Sequence, residues 1–154
     1  MASELTHTIE IDRQPAAVYA YVTQPWRWHE WHPASRCATR STGALVAGDT
    51  FEEEIELAPL APLPLRLRRR MTYRVVVAEP SRRWAVTGET RDGRVGIRYE
   101  LRPVGQGTGF TRTLSFETRG VTTLLMPFLQ RRVAKQSVQA LERLRRLLES
   151  GADG

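Results

Sequence analysis

The sequence predicts an α+β fold: a curved antiparallel sheet of about seven strands, apolar on one face, wrapped around a long C-terminal helix, with two short helices after the first strand. Two changes of hydrophobic period predict it. From Cys37 to about Thr118 the period is two, broken by turn residues at Gly43, Gly48, Glu79-Pro80-Ser81, Asp92-Gly93 and Gly105–Gly109. Beyond that, Met126, Leu129, Val133, Val138, Leu141, Leu144 and Leu148 recur at three to five residues, the stripe of a helix. A chain of 154 residues, 41% hydrophobic and 26% charged, fits one domain over 1–154 with an ordered core of about 6–149, large enough to enclose a cavity.

Residues 6–12 alternate as a half-buried strand with His7, Ile9 and Ile11 on one face. Pro15 suits the first turn of a helix continued to Val22, and Pro25 ends that helix or opens a second short one through Trp26, Trp28 and Trp31, which Pro33 closes. A six-stranded meander follows. In the hairpin of 51–57 and 65–71, opposed charges select a register with Glu52, Glu54 and Glu56 opposite Arg70, Arg68 and Arg66. The same register pairs Phe51, Ile55 and Leu57 with Met71, Leu67 and Leu65 on the inner face. A second hairpin, turning at Asp92-Gly93, pairs Trp84, Val86 and Gly88 with Leu101, Tyr99 and Ile97 and leaves Arg98, Glu100 and Arg102 solvated. The C-terminal stripe covers the apolar face so formed. Arg131, Arg132, Lys135, Arg143, Arg145 and Arg146 mostly lie off it, Pro127 fits its first turn or kinks it, and 151–154 fray after Gly151.

The net charge of +6 invites a nucleic-acid reading, but of 23 basic residues only Lys135 is a lysine and much of the arginine faces acidic residues. Nucleic acid is therefore not expected as a partner. The most apolar stretch, 58–65, contains three prolines and no secretory leader is visible, so the expected location is cytoplasmic. Cys37, the only cysteine, excludes an internal disulfide and a cysteine-cluster zinc site.

The order of elements, with Ile9-Glu10-Ile11, Pro15-Ala16-Ala17-Val18-Tyr19, Trp26 to Pro33, Gly48-Asp49-Thr50-Phe51, Glu79-Pro80 and the amphipathic end helix, resembles the START-like, or SRPBCC, helix-grip superfamily. Within it the chain looks like the bacterial polyketide cyclase/dehydrase and lipid-transport families. The resemblance implies a cavity between sheet and helix for a hydrophobic or aromatic small molecule, such as a polyketide or lipid, and a pocket of that kind measures roughly 300 Å³ or more.

Strand parity places two charges on the inner face, Glu53 between Phe51 and Ile55 and Arg69 between Leu67 and Met71, and the chosen register sets them opposite each other. That pair reads as an anchor in which Arg69 polarises a ligand oxygen and Glu53 fixes the arginine; the alternative is that both reach solvent at the edge of the sheet. Arg112 shares the parity of Phe116, and Tyr73 and Tyr99 that of Val86, so all are expected to line the site or pack beneath it. Trp28 and Trp31 supply an aromatic lid or core, and Leu129 and Val133 the helix wall. The catalytic candidates are Arg69, Glu53 and His29, with no complete acid–base pair visible. The spacing His-Glu-x-His in 29–32 is not that of a zinc protease, and no metal or cofactor is expected. The first reading is binding, by a monomer or homodimer. Alternatives are cyclisation or dehydration of a poly-β-keto chain, and a lipid-handling module touching membrane transiently through the C-terminal helix.

Overall fold

Each change of period in the sequence becomes a change of element in the computed structural model, which describes residues 2–57, 66–90 and 93–151, without the side chains of Leu57, Leu67, Val121 and Thr122. Strand β1 (Ala2–Ile11) turns Leu5, His7, Ile9 and Ile11 inward. Pro15 opens helix α1 (Pro15–Val22), where a missing N–H costs nothing, and Pro25 opens a separate 3₁₀ helix (Pro25–Glu30). Strands β2 (Ser35–Ala38), β3 (Thr50–Leu57), β4 (Leu67–Glu79), β5 (Arg83–Thr90), β6 (Gly93–Val104) and β7 (Gly107–Thr118) follow, then helix α2 (Val121–Glu149). The sheet runs β1-β7-β6-β5-β4-β3-β2, all antiparallel, so the meander pairs neighbour to neighbour and β1 closes on its far end. This is the helix-grip arrangement.

Both expected hairpin registers are displaced by two residues, while the faces are as expected. Between β3 and β4, Phe51 faces Tyr73, Glu53 faces Met71 and Ile55 faces Arg69; on the solvated side Glu52, Glu54 and Glu56 face Thr72, Arg70 and Arg68. Leu57 faces Leu67 in place of the expected Leu65, which lies with the proline loop outside the described residues. Aromatic packing decides the register. Phe51 stacks on Tyr73 at 5.2 Å and on Trp84 at 6.4 Å, and Trp28 stands edge-on to all three at 5.7–6.3 Å. The Tyr73 ring lies over Gly88, where an added Cβ would sit 2.6 Å from it. Buried aromatic contacts of this kind outweigh exposed ion pairs worth about 0–1 kcal/mol each. The carboxylate of Glu56 is served all the same, by Arg66 at 2.9 Å and by Arg36 and Arg68 at 3.5 Å.

Between β5 and β6 the pairs are Trp84 with Tyr99, Val86 with Ile97, Gly88 with Val95 and Thr90 with Gly93. Gly93 therefore belongs to the strand and not to the expected Asp92-Gly93 turn; Asp92 is outside the described residues. Its φ of +149° and the Glu117 carbonyl, which would lie 1.8 Å from a Cβ, leave no room for a side chain where β7 crosses.

Helix α2 presents Met126, Leu129, Leu141, Leu144 and Leu148 to the sheet. One expected stripe residue is replaced: Val138 is 48% exposed, and its neighbour Ser137, four residues from both Val133 and Leu141, is buried instead. Pro127 is inside the helix, exposed, so the backbone bond to Thr123 is missing there. Gln130 Nε2 donates to Ser3 Oγ (2.6 Å), the Asp12 N–H donates to Glu149 (2.9 Å) and Arg13 donates to the Leu148 carbonyl (2.8 Å), which fastens α2 along β1. The expected fraying concerns Gly151, which closes the helix at φ +96°, and 152–154, which are not described.

Candidate functional site

The inner face and α2 enclose two small chambers. One, about 110 Å³, is almost wholly apolar and is bounded by Met126, Leu129 and Val133 of α2 and by Ile55, Met71 and Phe116 of the sheet, with Arg69 at its side. The other, about 90 Å³, shares Ile55, Met71, Val95, Phe116 and Val133 with the first but ends in polar groups: Glu53, Arg112, His32, Ser35 and Gln136. Neither matches the roughly 300 Å³ of a preformed ligand pocket. The aromatic cluster of Trp28, Phe51, Tyr73 and Trp84 fills the space behind them. The larger hollows, of about 600, 580 and 470 Å³, are elsewhere: one lies along the outside of the sheet between Val76 and Ser115, and the others involve Arg146 and Thr72.

Strand alternation brings the polar end together. Glu53 on β3 is 4% exposed and its Oε2 accepts a 2.6 Å hydrogen bond from Ser35 Oγ on β2. Burial pushes its carboxyl up to about 7, against the opposing pull of the Ser35 hydroxyl, the Arg112 charge and the Tyr73 hydroxyl. Arg112 on β7, also 4% exposed, donates from Nη1 to Ser137 Oγ on α2 at 3.2 Å, and its guanidinium carbon stands 5.8 Å over the Trp31 ring. No carboxylate lies within 4.0 Å of it among the described residues, and its buried Nε has no hydrogen-bond partner. Trp31 Nε1 and Gln136 Oε1 are likewise buried and unpartnered. His32 Nδ1 accepts the Ala34 N–H at 3.1 Å, and burial, with the Arg112 charge, holds the imidazole well below its ordinary range, hence neutral. Burial raises the Tyr73 phenol well above its usual value, and its hydroxyl donates to Met71 Sδ at 3.3 Å.

The expected pairing of Glu53 with Arg69 is not formed. The two-residue shift moves Arg69 opposite Ile55, beside the apolar chamber, where its Nη1 donates to the Arg68 carbonyl at 2.8 Å; Arg112 is the arginine that faces Glu53 across the polar chamber. His29 is exposed on the 3₁₀ helix, and it is His32 that reaches the chamber. Trp31, Tyr73 and Phe116 line the polar chamber and Leu129 the apolar one, while Val133 touches both. Trp28 lines it too, but its indole N–H is already committed to the Val22 carbonyl at 2.8 Å. Phe51, Val86 and Tyr99 are core beneath the site, Tyr99 stacking on Trp84 at 5.3 Å. Gln136 and Ser137 escaped the sequence reading, which met His32 only in the His-Glu-x-His spacing and saw no nucleophile elbow at Ser35. Ser137 alone had a periodic signal, its spacing from Val133 and Leu141. Among the described residues no three of His, Cys, Asp and Glu gather as metal ligands, and no helix is long and apolar enough to cross a membrane.

Solved structures with this fold are many. The Zhui aromatase/cyclase from Streptomyces sp. R1128 superposes with a TM-score of 0.74 at 11% identity, covering 100% of both chains. TTHA0849 from Thermus thermophilus gives 0.70 at 16% identity over 97% of this chain and 99% of its own, and Ara h 8.0201 gives 0.68 at 11% over 98% and 100%. At these identities the likeness establishes the fold. No curated protein matches by sequence. The family model for polyketide cyclase/dehydrase and lipid transport matches residues 2–149, nearly the whole chain. The chain belongs to the polyketide cyclase/dehydrase and lipid transport family.

Proposed function

We propose that this protein binds a hydrophobic or aromatic small molecule between the sheet and α2, with a polar head at Arg112 and Glu53 and an apolar body against Met126, Leu129 and Val133. One observation supports this above the others: a buried arginine whose Nε has no partner opens onto a chamber. Buried polar groups are almost always satisfied, and an unsatisfied one is stable only where a ligand or water completes it. The two chambers share a wall, and a ligand joins them by displacing the N-terminal half of α2. That half is held by few contacts: between Thr123 and Arg132 only Met126 and Leu129 are buried, Gln130 alone bonds to β1, through Ser3, among the described residues, and Pro127 has removed a helix bond.

Native mass spectrometry of freshly purified protein, beside a denatured control, tests the reading. A non-covalent adduct is expected in the wild type and is lost from an equally folded Arg112→Gln variant. An adduct that survives Arg112→Gln undiminished overturns the assignment.

A catalytic version is favoured by Glu53, a carboxyl titrating near neutrality opposite a guanidinium. There Arg112 polarises a ketone and Glu53 moves the proton in cyclisation or dehydration of a poly-β-keto chain. Loss of one water from a synthetic poly-β-ketone, abolished in Glu53→Gln, is the expected result; unchanged turnover by that variant removes Glu53 from the reaction.

A further inference from the structure

We infer that the head of the ligand is a single anion, a carboxylate or an enolate, and that one proton enters Glu53 as it binds. The inference rests on the binding site proposed above and specifies its chemistry. Arg112 is a guanidinium out of water with no carboxylate in contact; the hydroxyls that meet it, of Ser137 and Tyr99, are neutral. Removing such a charge from water costs several kcal/mol unless an anion meets it. Glu53, the carboxyl that lines the chamber with it, bonds to Ser35 instead. Two residues that line that space, Arg112 and Trp31, each hold a buried N–H without a partner, at Nε and Nε1, and two N–H groups suit an oxygen with charge to share.

Occupation of the chamber by an anion puts two negative groups around one guanidinium in a water-poor site. Like charges so placed do not both remain ionised, and the weaker acid takes up a proton. The groups that face Glu53 are Ser35 from β2, Tyr73 from β4, Tyr99 from β6, Arg112 from β7, His32 from the segment after the 3₁₀ helix, and uncharged Gln136 from α2. The tyrosines stay protonated, and burial opposes a charge on His32, so Glu53 is the group left to accept the proton. Once protonated it donates, and the Ser35 hydroxyl rotates to accept.

The test uses 2-naphthoate and its uncharged counterpart 2-naphthalenemethanol, titrated into the wild-type protein by calorimetry in buffers of different ionisation enthalpy. Naphthoate is expected to bind at least about tenfold more tightly than the alcohol, with close to no proton uptake near pH 6, close to one proton near pH 8, and an affinity that falls about tenfold per unit above pH 7. Glu53→Gln is expected to abolish both the uptake and the pH dependence. Arg112→Gln is expected to lose the preference for naphthoate over the alcohol. The inference is overturned if naphthoate binds near pH 8 without a proton, if uptake persists in Glu53→Gln, or if the alcohol binds as well as the acid. If neither compound binds the wild type, the binding reading falls and this inference falls with it.

Discussion

Glu53 gives the protein a pH dependence opposite to that of most carboxylates. Its carboxyl is raised from 4.5 to about 7 by burial, so between those values the folded state holds a proton that the unfolded state has lost. The contribution is fully present below about pH 4.5 and disappears as the pH rises through about 7. Glu53→Gln keeps the shape and removes the ionisation, so it is expected to be more stable than wild type near pH 8 and to lose most of that advantage near pH 5. The difference should change by about 3 kcal/mol between the two, read by urea unfolding; a gap that does not move with pH refutes it. Glu53 and Arg112 were legible because an inward charge breaks a period of two. His32 was not, since its position depends on the turn between Trp31 and Pro33, which no period describes. Ser137 was hidden by the apolar Val138 beside it.

Among the elements, the strand pairings show where sequence reasoning stops. Registers two residues apart put the same side chains on the same faces, so hydrophobic alternation cannot separate them. The choice fell to a charge ladder worth at most about 1 kcal/mol per pair, while the deciding fit was that of the Tyr73 ring over Gly88. Gly88→Ala forces that ring away from Phe51 and Trp28 and is expected to destabilise by about 1–3 kcal/mol, with a changed near-ultraviolet circular dichroism; an unaltered spectrum refutes the account. In α2, Pro127→Ala restores the bond to the Thr123 carbonyl at an exposed position. It is expected to stabilise by about 1–3 kcal/mol in thermal unfolding and to slow naphthoate release, because it stiffens the half of the helix that must give way. Release that quickens, or no stabilisation, removes Pro127 from this role.

At the scale of the whole molecule, the order of strands and the covering helix were legible because each change of period coincides with an element. The volume inside was not, since it depends on how four aromatic side chains fill one end of the grip. The outer surface has a distribution of its own. Leu124 is 77% and Phe128 51% exposed, one turn apart on α2, with Arg131 and Lys135 following and a net charge of +6 overall. Such a face fits an anionic bilayer. Sedimentation with phosphatidylserine vesicles is expected in low salt, to weaken several-fold at moderate salt and to be lost in Phe128→Asp; equal binding to neutral vesicles excludes this contact. The closure of β1 on β7 has a consequence for how the molecule is made. Residues 2–11 leave the ribosome long before their partners, residues 108–117, and α2 is later still. The hairpins of the meander form between sequence neighbours, whereas this pairing must wait for most of the chain and bears the largest loop entropy. The inner face is thus without its cover until α2 is made, and the enclosure around Arg112 waits on Ser137, far along the chain.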